Sequence, residues 1–251
     1  MKLDDISIKK VKSLLKRCVF YGKKYYCPCC NNYFGRYRKF NSKDHQFYNK
    51  NIYKGKKQFV ICPYCWSLPR HRIICEYLDN NINLIKNRKI ILFAPEQGME
   101  KWLKRNNIPY KSADLYRKNV ELQLDITDIE LKSNSVDGII CNHILEHVYD
   151  YNNAIDEVYR VLKENGIFIV SVPIDINKKM TFEVQTKNNE ERRTIYGQAD
   201  HYRNFGTNFI EILKKYKFKV EEINGDNMSK KIMPIIGPGE YDYNHIYVCI
   251  K

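Results

Sequence analysis

Seven short apolar runs punctuate the latter part of this chain, and their spacing limits the possible folds more than any other feature. They are Ile90–Phe93, Lys111–Ala113, Leu122–Leu124, Val136–Cys141, Ile167–Val172, Lys217–Ile223 and Ile246–Ile250. Met99–Asn106, Asn152–Leu162 and Asn208–Tyr216 read as helices between them. This alternation predicts an α/β domain over residues 89–251, with a doubly wound, Rossmann-like sheet of seven strands. No helix separates the last two runs, so they are expected to form an antiparallel hairpin at the sheet edge.

The first third is built differently. Residues 1–88 carry a formal charge of +15 and residues 89–251 one of −1, out of +14 for all 251 residues. Two cysteine pairs lie there, Cys27-Pro28-Cys29-Cys30 and Cys62-Pro63-Tyr64-Cys65. Two thiolates three positions apart can be aimed at one ion by a tight turn, and two such turns complete a tetrahedral site. Cys27, Cys30, Cys62 and Cys65 are therefore expected to hold a structural zinc in a small zinc-ribbon-like module, with no coordination position left for a substrate. Cys29 competes with Cys27 for the first position, and His45 or His71 is an alternative ligand. Asp4–Cys18, with Ile8, Val11, Leu14 and Leu15 at helical spacing, predicts an amphipathic helix before the module, and Pro69 to about Asn80 a second helix after it.

The remaining cysteines, Cys18, Cys75, Cys141 and Cys249, sit among apolar neighbours and read as inert thiols. The opening Met1-Lys2-Leu3-Asp4-Asp5 lacks the apolar core of an export signal, and no stretch is long and apolar enough to span a membrane. These features predict a cytoplasmic protein that uses its cysteines for metal instead of disulfides. Its basic module suits an anionic partner, either a phosphate-bearing small molecule or nucleic acid.

A doubly wound sheet binds ligands at the carboxyl ends of its strands, where the strand order reverses. The first such end is Phe93-Ala94-Pro95-Glu96-Gln97-Gly98, with a single glycine where cofactor-binding turns usually carry several. Asp114 closes the second strand, where a carboxylate accepts hydrogen bonds from a ribose diol. Asp125 follows the third, within reach of an adenine amino group.

The run Ser135-Val136-Asp137-Gly138-Ile139-Ile140-Cys141-Asn142-His143-Ile144-Leu145-Glu146-His147-Val148, with Tyr159-Arg160-Val161-Leu162-Lys163-Glu164-Asn165-Gly166, resembles the fourth-strand region of class I, type 11-like methyltransferases related to the ubiquinone-biosynthesis enzymes. The resemblance implies S-adenosylmethionine as cofactor, held by Ala94, Pro95, Glu96, Gly98, Asp114, Leu115, Asp125, Ile126, Asn142 and His143. The cysteine pairs, Ser67-Leu68-Pro69-Arg70-His71-Arg72, Ala94-Pro95-Glu96 and Tyr196-Gly197-Gln198-Ala199-Asp200-His201-Tyr202-Arg203 are similar to bacterial methyltransferases with an N-terminal zinc module. Those enzymes often accompany surface-polysaccharide genes, and they too lack the glycine-rich turn.

Methyl transfer to a hydroxyl needs alignment and loss of a proton. His201 is the candidate base, with Asp200 expected to orient it and His147 as a second candidate nearer the pocket wall. Arg203, Arg70 and Arg72 are expected to hold the acceptor's charge, with Gln198 and Tyr202 beside it. These expectations favour O-methylation of a sugar, nucleotide-linked or phosphoryl-type molecule bound for a surface glycan. An RNA methyltransferase using the basic module is the second reading, although the chain lacks the Asn/Asp-Pro-Pro-Tyr/Phe signature of amino-directed enzymes and any recognisable RNA-binding motif. A non-catalytic binding protein is the third.

Overall fold

A computed structural model of the chain describes residues 15, 18–39, 59–184, 186, 188–232, 241–242 and 244–251. Most of the helix expected over Asp4–Cys18, and His45 with it, lie outside the described residues. The small strands β1 (Tyr25–Cys27), β2 (Asn32–Phe34), β3 (Arg38–Lys39) and β4 (Phe59–Ile61) form two antiparallel ribbons, β1 with β2 and β3 with β4. Helix α1 (Pro69–Asn80) follows, started by a proline at its first position, where the missing N–H has no helical acceptor to lose.

The main sheet contains β5 (Ile90–Phe93), β6 (Tyr110–Asp114), β7 (Leu122–Gln123), β8 (Val136–Asn142), β9 (Leu162–Ser171), β13 (Lys219–Asn224) and β15 (His245–Ile250). Their order is β13-β15-β9-β8-β5-β6-β7. The five strands from β9 to β7 run parallel, and β15 and β13 close one edge antiparallel. The expected seven-stranded Rossmann-like sheet and its terminal hairpin are thus present. The chain order reverses between β5 and β8, which opens a crevice at their carboxyl ends.

Strand side chains alternate between faces, and the buried residues separate accordingly. Ile90, Leu92, Ile140, Ile167 and Ile169 share one core with Ile73, Ile74 and Leu78 of α1 and with Met99, Trp102 and Leu103 of α2 (Gln97–Arg105). Ile91, Phe93, Ile139, Phe168 and Val170 face α3 (Tyr151–Val161) and α5 (Phe209–Lys215) on the other side. The first core also contains Cys27, Cys29, Cys30, Cys62, Cys65, Phe34 and Tyr37. The cysteine module therefore helps to cover a sheet face and has no interior separate from it.

A second, four-stranded sheet was not legible in the sequence because its strands are so short. It joins β10 (Ile174–Asp175), β11 (Phe182–Glu183), β12 (Arg203–Gly206) and β14 (Tyr241–Asp242) in the order β11-β12-β10-β14. With α4 (Asn189–Tyr196), which ends at Gly197 in the left-handed conformation (φ 78°), it brings the segment after β9 back over the crevice side. Segment 145–147 contacts β12 directly.

Candidate active site and cysteine cluster

The four sulfurs of Cys27, Cys30, Cys62 and Cys65 lie within 4.8 Å of one another and are buried. Cys27 and Cys65 Sγ are 3.6 Å apart, Cys30 and Cys62 Sγ 3.8 Å. A tetrahedral ion with metal–sulfur bonds of about 2.3 Å separates its sulfurs by roughly 3.8 Å, so the donor set fits. Each turn is made by the backbone. Asn31 and Trp66 take positive φ (53° and 62°), Trp66 N–H donates to Cys62 O (3.1 Å), and Cys62 N–H to Ser67 O (3.0 Å). Cys29 is buried but outside the cluster, and His71 points elsewhere.

His71 turns to the first cofactor turn. Its Nδ1 accepts the Leu68 N–H (3.0 Å), which leaves Nε2 to donate to Glu96, while Arg70 reaches the other Glu96 oxygen at 2.5 Å. Burial alone would raise the Glu96 pKa. The Arg70 charge, then His71, outweighs it and holds the carboxyl well below the usual range. Gly98 is close-packed against the module: a Cβ there would meet Ser67 Cβ at 2.8 Å and His71 Nδ1 at 3.2 Å. Glu96 and Gly98 thereby fasten α1 to the turn after β5.

The rest of the expected cofactor edge gathers at the switch point. Ala94 and His143, at the ends of β5 and β8, both adopt the left-handed region (φ 44° and 52°), a conformation that non-glycine residues keep only when their surroundings enforce it. Asp114, at the end of β6, accepts Tyr116 and Arg117 N–H groups on Oδ1 (2.8 and 2.9 Å). Arg117 also spans from Asp114 (3.4 Å) to Pro95 O (2.9 Å). Leu115 beside it is 43% exposed, whereas the Ile126 side chain is buried in the core. Asp125 accepts Thr127 N–H and Oγ1–H on one oxygen. Asn142 is buried with its Oδ1 accepting from Ser171 (3.0 Å). The carboxylates at the ends of β6 and β7 and the exposed apolar Leu115 between them suit a ribose and an adenine.

Beyond β8 the chain makes a short 3-10 turn, Leu145–His147, against the segment carrying Asp200 and His201. The His147 and His201 rings meet edge to face, centroids 4.5 Å apart. Asp200 Oδ2 lies 3.2 Å from His147 Nδ1, so this carboxylate orients His147 and not, as expected, its neighbour His201. Burial, followed by the nearby His147, pushes His201 down to about 3. Burial also works against charge on His147, but the Asp200 hydrogen bond and the Glu146 and Asp200 charges prevail and raise its pKa. Glu146 is 1% exposed, and burial lifts its carboxyl to about 7. Sequence reasoning missed Glu146 as a functional group, although its spacing from His143 and His147 places all three on one turn.

The arginines expected to grip an acceptor are each engaged by groups of the protein itself. Arg72 is wholly buried, stacked on Tyr37 (4.6 Å), and donates to the carbonyls of Val60, Ser67 and Ile232 at 2.7–3.0 Å. Arg203 is wholly buried too, with its guanidinium on the carbonyls of Leu145, Val148 and Tyr149 and on Glu183. Arg70 is held by Glu96. Tyr202 packs between Tyr149 and Arg192, and its N–H donates to Glu146 O (2.9 Å). Gln198 keeps a buried Oε1 without a hydrogen bond.

Residues 88–170 match a family described as a methyltransferase domain. No curated protein matches the chain. Among solved structures, an S-adenosylmethionine-dependent methyltransferase from Mesorhizobium loti is 12% identical, with 71% of this chain and 98% of that one covered at a TM-score of 0.51. One from Archaeoglobus fulgidus is also 12% identical, covering 72% and 94% at 0.49. The 1,6-didemethyltoxoflavin-N1-methyltransferase of Burkholderia thailandensis is 14% identical, covering 72% and 78% at 0.47.

Proposed function

We propose that this chain, a class I S-adenosylmethionine-dependent methyltransferase, methylates a hydroxyl of a small polar molecule. The acceptor class we favour is a sugar, nucleotide-linked sugar or phosphoryl-type precursor of a surface polysaccharide, and its support is the likeness of motifs described above. We take residues 1–88 as a module built round a structural zinc and 89–251 as the methyltransferase domain. The zinc assignment rests on four sulfurs at tetrahedral spacing.

The observation that carries the O-methylation reading is the group of buried Glu146 and His201 with the part-exposed His147, which Asp200 fixes. A hydroxyl, unlike an amine, must shed its proton on methylation, and two imidazoles and a carboxylate are the groups that assist this. S-adenosylmethionine supplies an electrophilic methyl when bound. The chain's own part is to hold it with Asp114, Asp125 and the turn after β5, to align the acceptor, and to draw off its proton through the group of Glu146, His147, His201 and Asp200. Gln198, with its buried amide oxygen, and the half-buried Tyr202 are the substrate contacts we retain.

The test is transfer of a labelled methyl group to panels of sugars, nucleotide-sugars, phosphorylated alcohols, amines and RNA. Label in a base-resistant ether supports the reading, and label on nitrogen alone overturns it. RNA remains the second reading because one face of the module is basic and aromatic. Arg38 stacks on Trp66 at 3.8 Å, and Trp66 and Phe59 are 46% and 54% exposed. Such a face binds unpaired bases by stacking and phosphates by charge. RNA methylation that falls steeply with salt would favour it.

A further inference from the structure

Glu146, His147 and His201 come from two separated segments, yet each offers a ligand atom within 4.8 Å of the others. Glu146 is 1% exposed, and neither of its carboxylate oxygens makes a hydrogen bond among the described residues. Its Oε1 faces His143 Nδ1 at 3.4 Å, too far for a strong bond. A buried carboxylate left this way is costly unless something cationic satisfies it. His147 supplies a second observation. Its Nδ1 is engaged by Asp200 at 3.2 Å, which leaves Nε2 for a ligand. Carboxylate on one ring nitrogen and metal on the other is how metal-bound histidines are commonly oriented.

From this we infer that Glu146, His147 and His201 form a second metal site, distinct from the cysteine cluster, for a divalent transition-metal ion. Two imidazoles and one carboxylate suit zinc, cobalt, iron, nickel or manganese, and they leave positions open for an oxygen ligand. The backbone is braced for the task. Arg203 fixes the carbonyls on both sides of the turn, those of Leu145 and of Val148 and Tyr149, and Tyr202 N–H donates to Glu146 O at 2.9 Å. His147 is part-exposed, so the site opens on its side.

The inference rests on the reading that the acceptor is a hydroxyl, and it states how the proton is lost. A hydroxyl oxygen bound to the cation is acidified, as water is on zinc. The proton is lost to solvent, to which the part-exposed His147 side of the site opens. The oxygen pair then bonds the methyl carbon while the carbon–sulfur pair returns to sulfur. A vicinal diol, able to offer two oxygens to one ion, is the acceptor geometry this favours.

Metal analysis and cobalt titration of the full chain test the site. After chelation and refilling with Co²⁺, the wild type should bind two equivalents, of which only one gives a thiolate-to-cobalt charge-transfer band. Glu146→Gln and His201→Asn should each weaken the band-free equivalent at least tenfold and keep the other, with circular dichroism unchanged. Cys62→Ser should abolish the charge-transfer band. A single equivalent in folded wild type, or a second one that both variants retain unweakened, overturns the inference. Methylation of a hydroxyl by protein lacking the second equivalent would overturn the site alone and leave the O-methylation reading standing.

Discussion

The carboxylate of Asp200 lies 3.2 Å from His147 Nδ1, fifty-three positions earlier in the chain, while the adjacent His201 stacks edge to face on the same ring. Asp200 closes the turn that follows Gly197, and the side chains of it and its neighbour diverge from the backbone there. A neighbour in sequence is therefore poorly placed to orient its neighbour, and Asp200 serves the histidine that faces it from the turn after β8. We expect Asp200→Asn to lower kcat about 10- to 100-fold, the usual cost of losing the carboxylate behind a working histidine. KM and S-adenosylhomocysteine affinity should stay within about twofold, and Asp200→Glu should recover part of the rate. Steady-state kinetics with calorimetry check this, and an unchanged kcat would return Asp200 to a surface role.

The cysteine cluster makes a separate prediction. Purified protein should contain one thiolate-bound equivalent of zinc, and Cys62→Ser should lose that equivalent. Structural zinc contributes on the order of 10 kcal/mol to such modules. Because Cys62 and Cys65 share a core with Ile90 and Leu92 of β5, the loss should lower the melting temperature of the whole protein and not only of its first third. Differential scanning calorimetry separates the outcomes, since an independent module would melt in its own transition.

Glu96 gives a pH dependence whose sign is fixed. Its folded-state pKa is depressed by Arg70 and His71 below the ordinary glutamate value of about 4.3, so its contribution to stability is complete above that value. It drains away as pH falls from there toward the lower folded-state pKa. Glu96→Gln should therefore be less stable than wild type at neutral pH and should lose less stability on acidification. The difference in slope below about pH 4.5 can reach ~1.4 kcal/mol per pH unit. Urea denaturation at a series of pH values measures it, and parallel curves would mean that the Arg70–Glu96–His71 contact carries no net charge coupling.

Arg203 should behave as a buried clamp. Arg203→Ala strands the carbonyls of Leu145, Val148 and Tyr149 and the Glu183 carboxylate, and losing one partner of such a buried set costs about 3–5 kcal/mol. Arg203→Lys should recover little, because an ammonium cannot span the fork. If Arg203→Ala instead folds normally and only raises KM, the side chain holds the acceptor after all.

The doubly wound sheet was legible because burial on both faces leaves nearly unbroken apolar runs such as Ile90–Phe93, and the antiparallel edge pair because the sequence shows no helical period between its runs. Strands of two residues, such as Ile174–Asp175, carry no such period and were invisible. Of the candidate site, the strand-end positions of residues such as Asp114 and Asn142 were legible, because the order of apolar runs fixes where each strand stops. The site was illegible where the role depends on which distant element lies opposite. Arg70, Arg72 and Arg203 look like anion grips in one dimension, yet they are turned inward to Glu96 and to buried carbonyls. Gly98 stands where a cofactor turn would have it, but Ser67 occupies the space above it. Glu146 sits inside the run that resembles other methyltransferases, and only the return of His201 gives it a partner from a distant segment.

Arg72 makes one tie that has a consequence in time. Two of its acceptors, Val60 and Ser67, are close by in sequence, but its Nε donates to Ile232 O at 2.7 Å, and Tyr37 donates to the same oxygen at 2.8 Å. A ribosome delivers those donors long before it delivers that carbonyl. During synthesis the early cysteine ribbons accordingly wait on the strands still to come, and a nascent chain arrested short of residue 232 should remain open to protease at the module even with metal at hand.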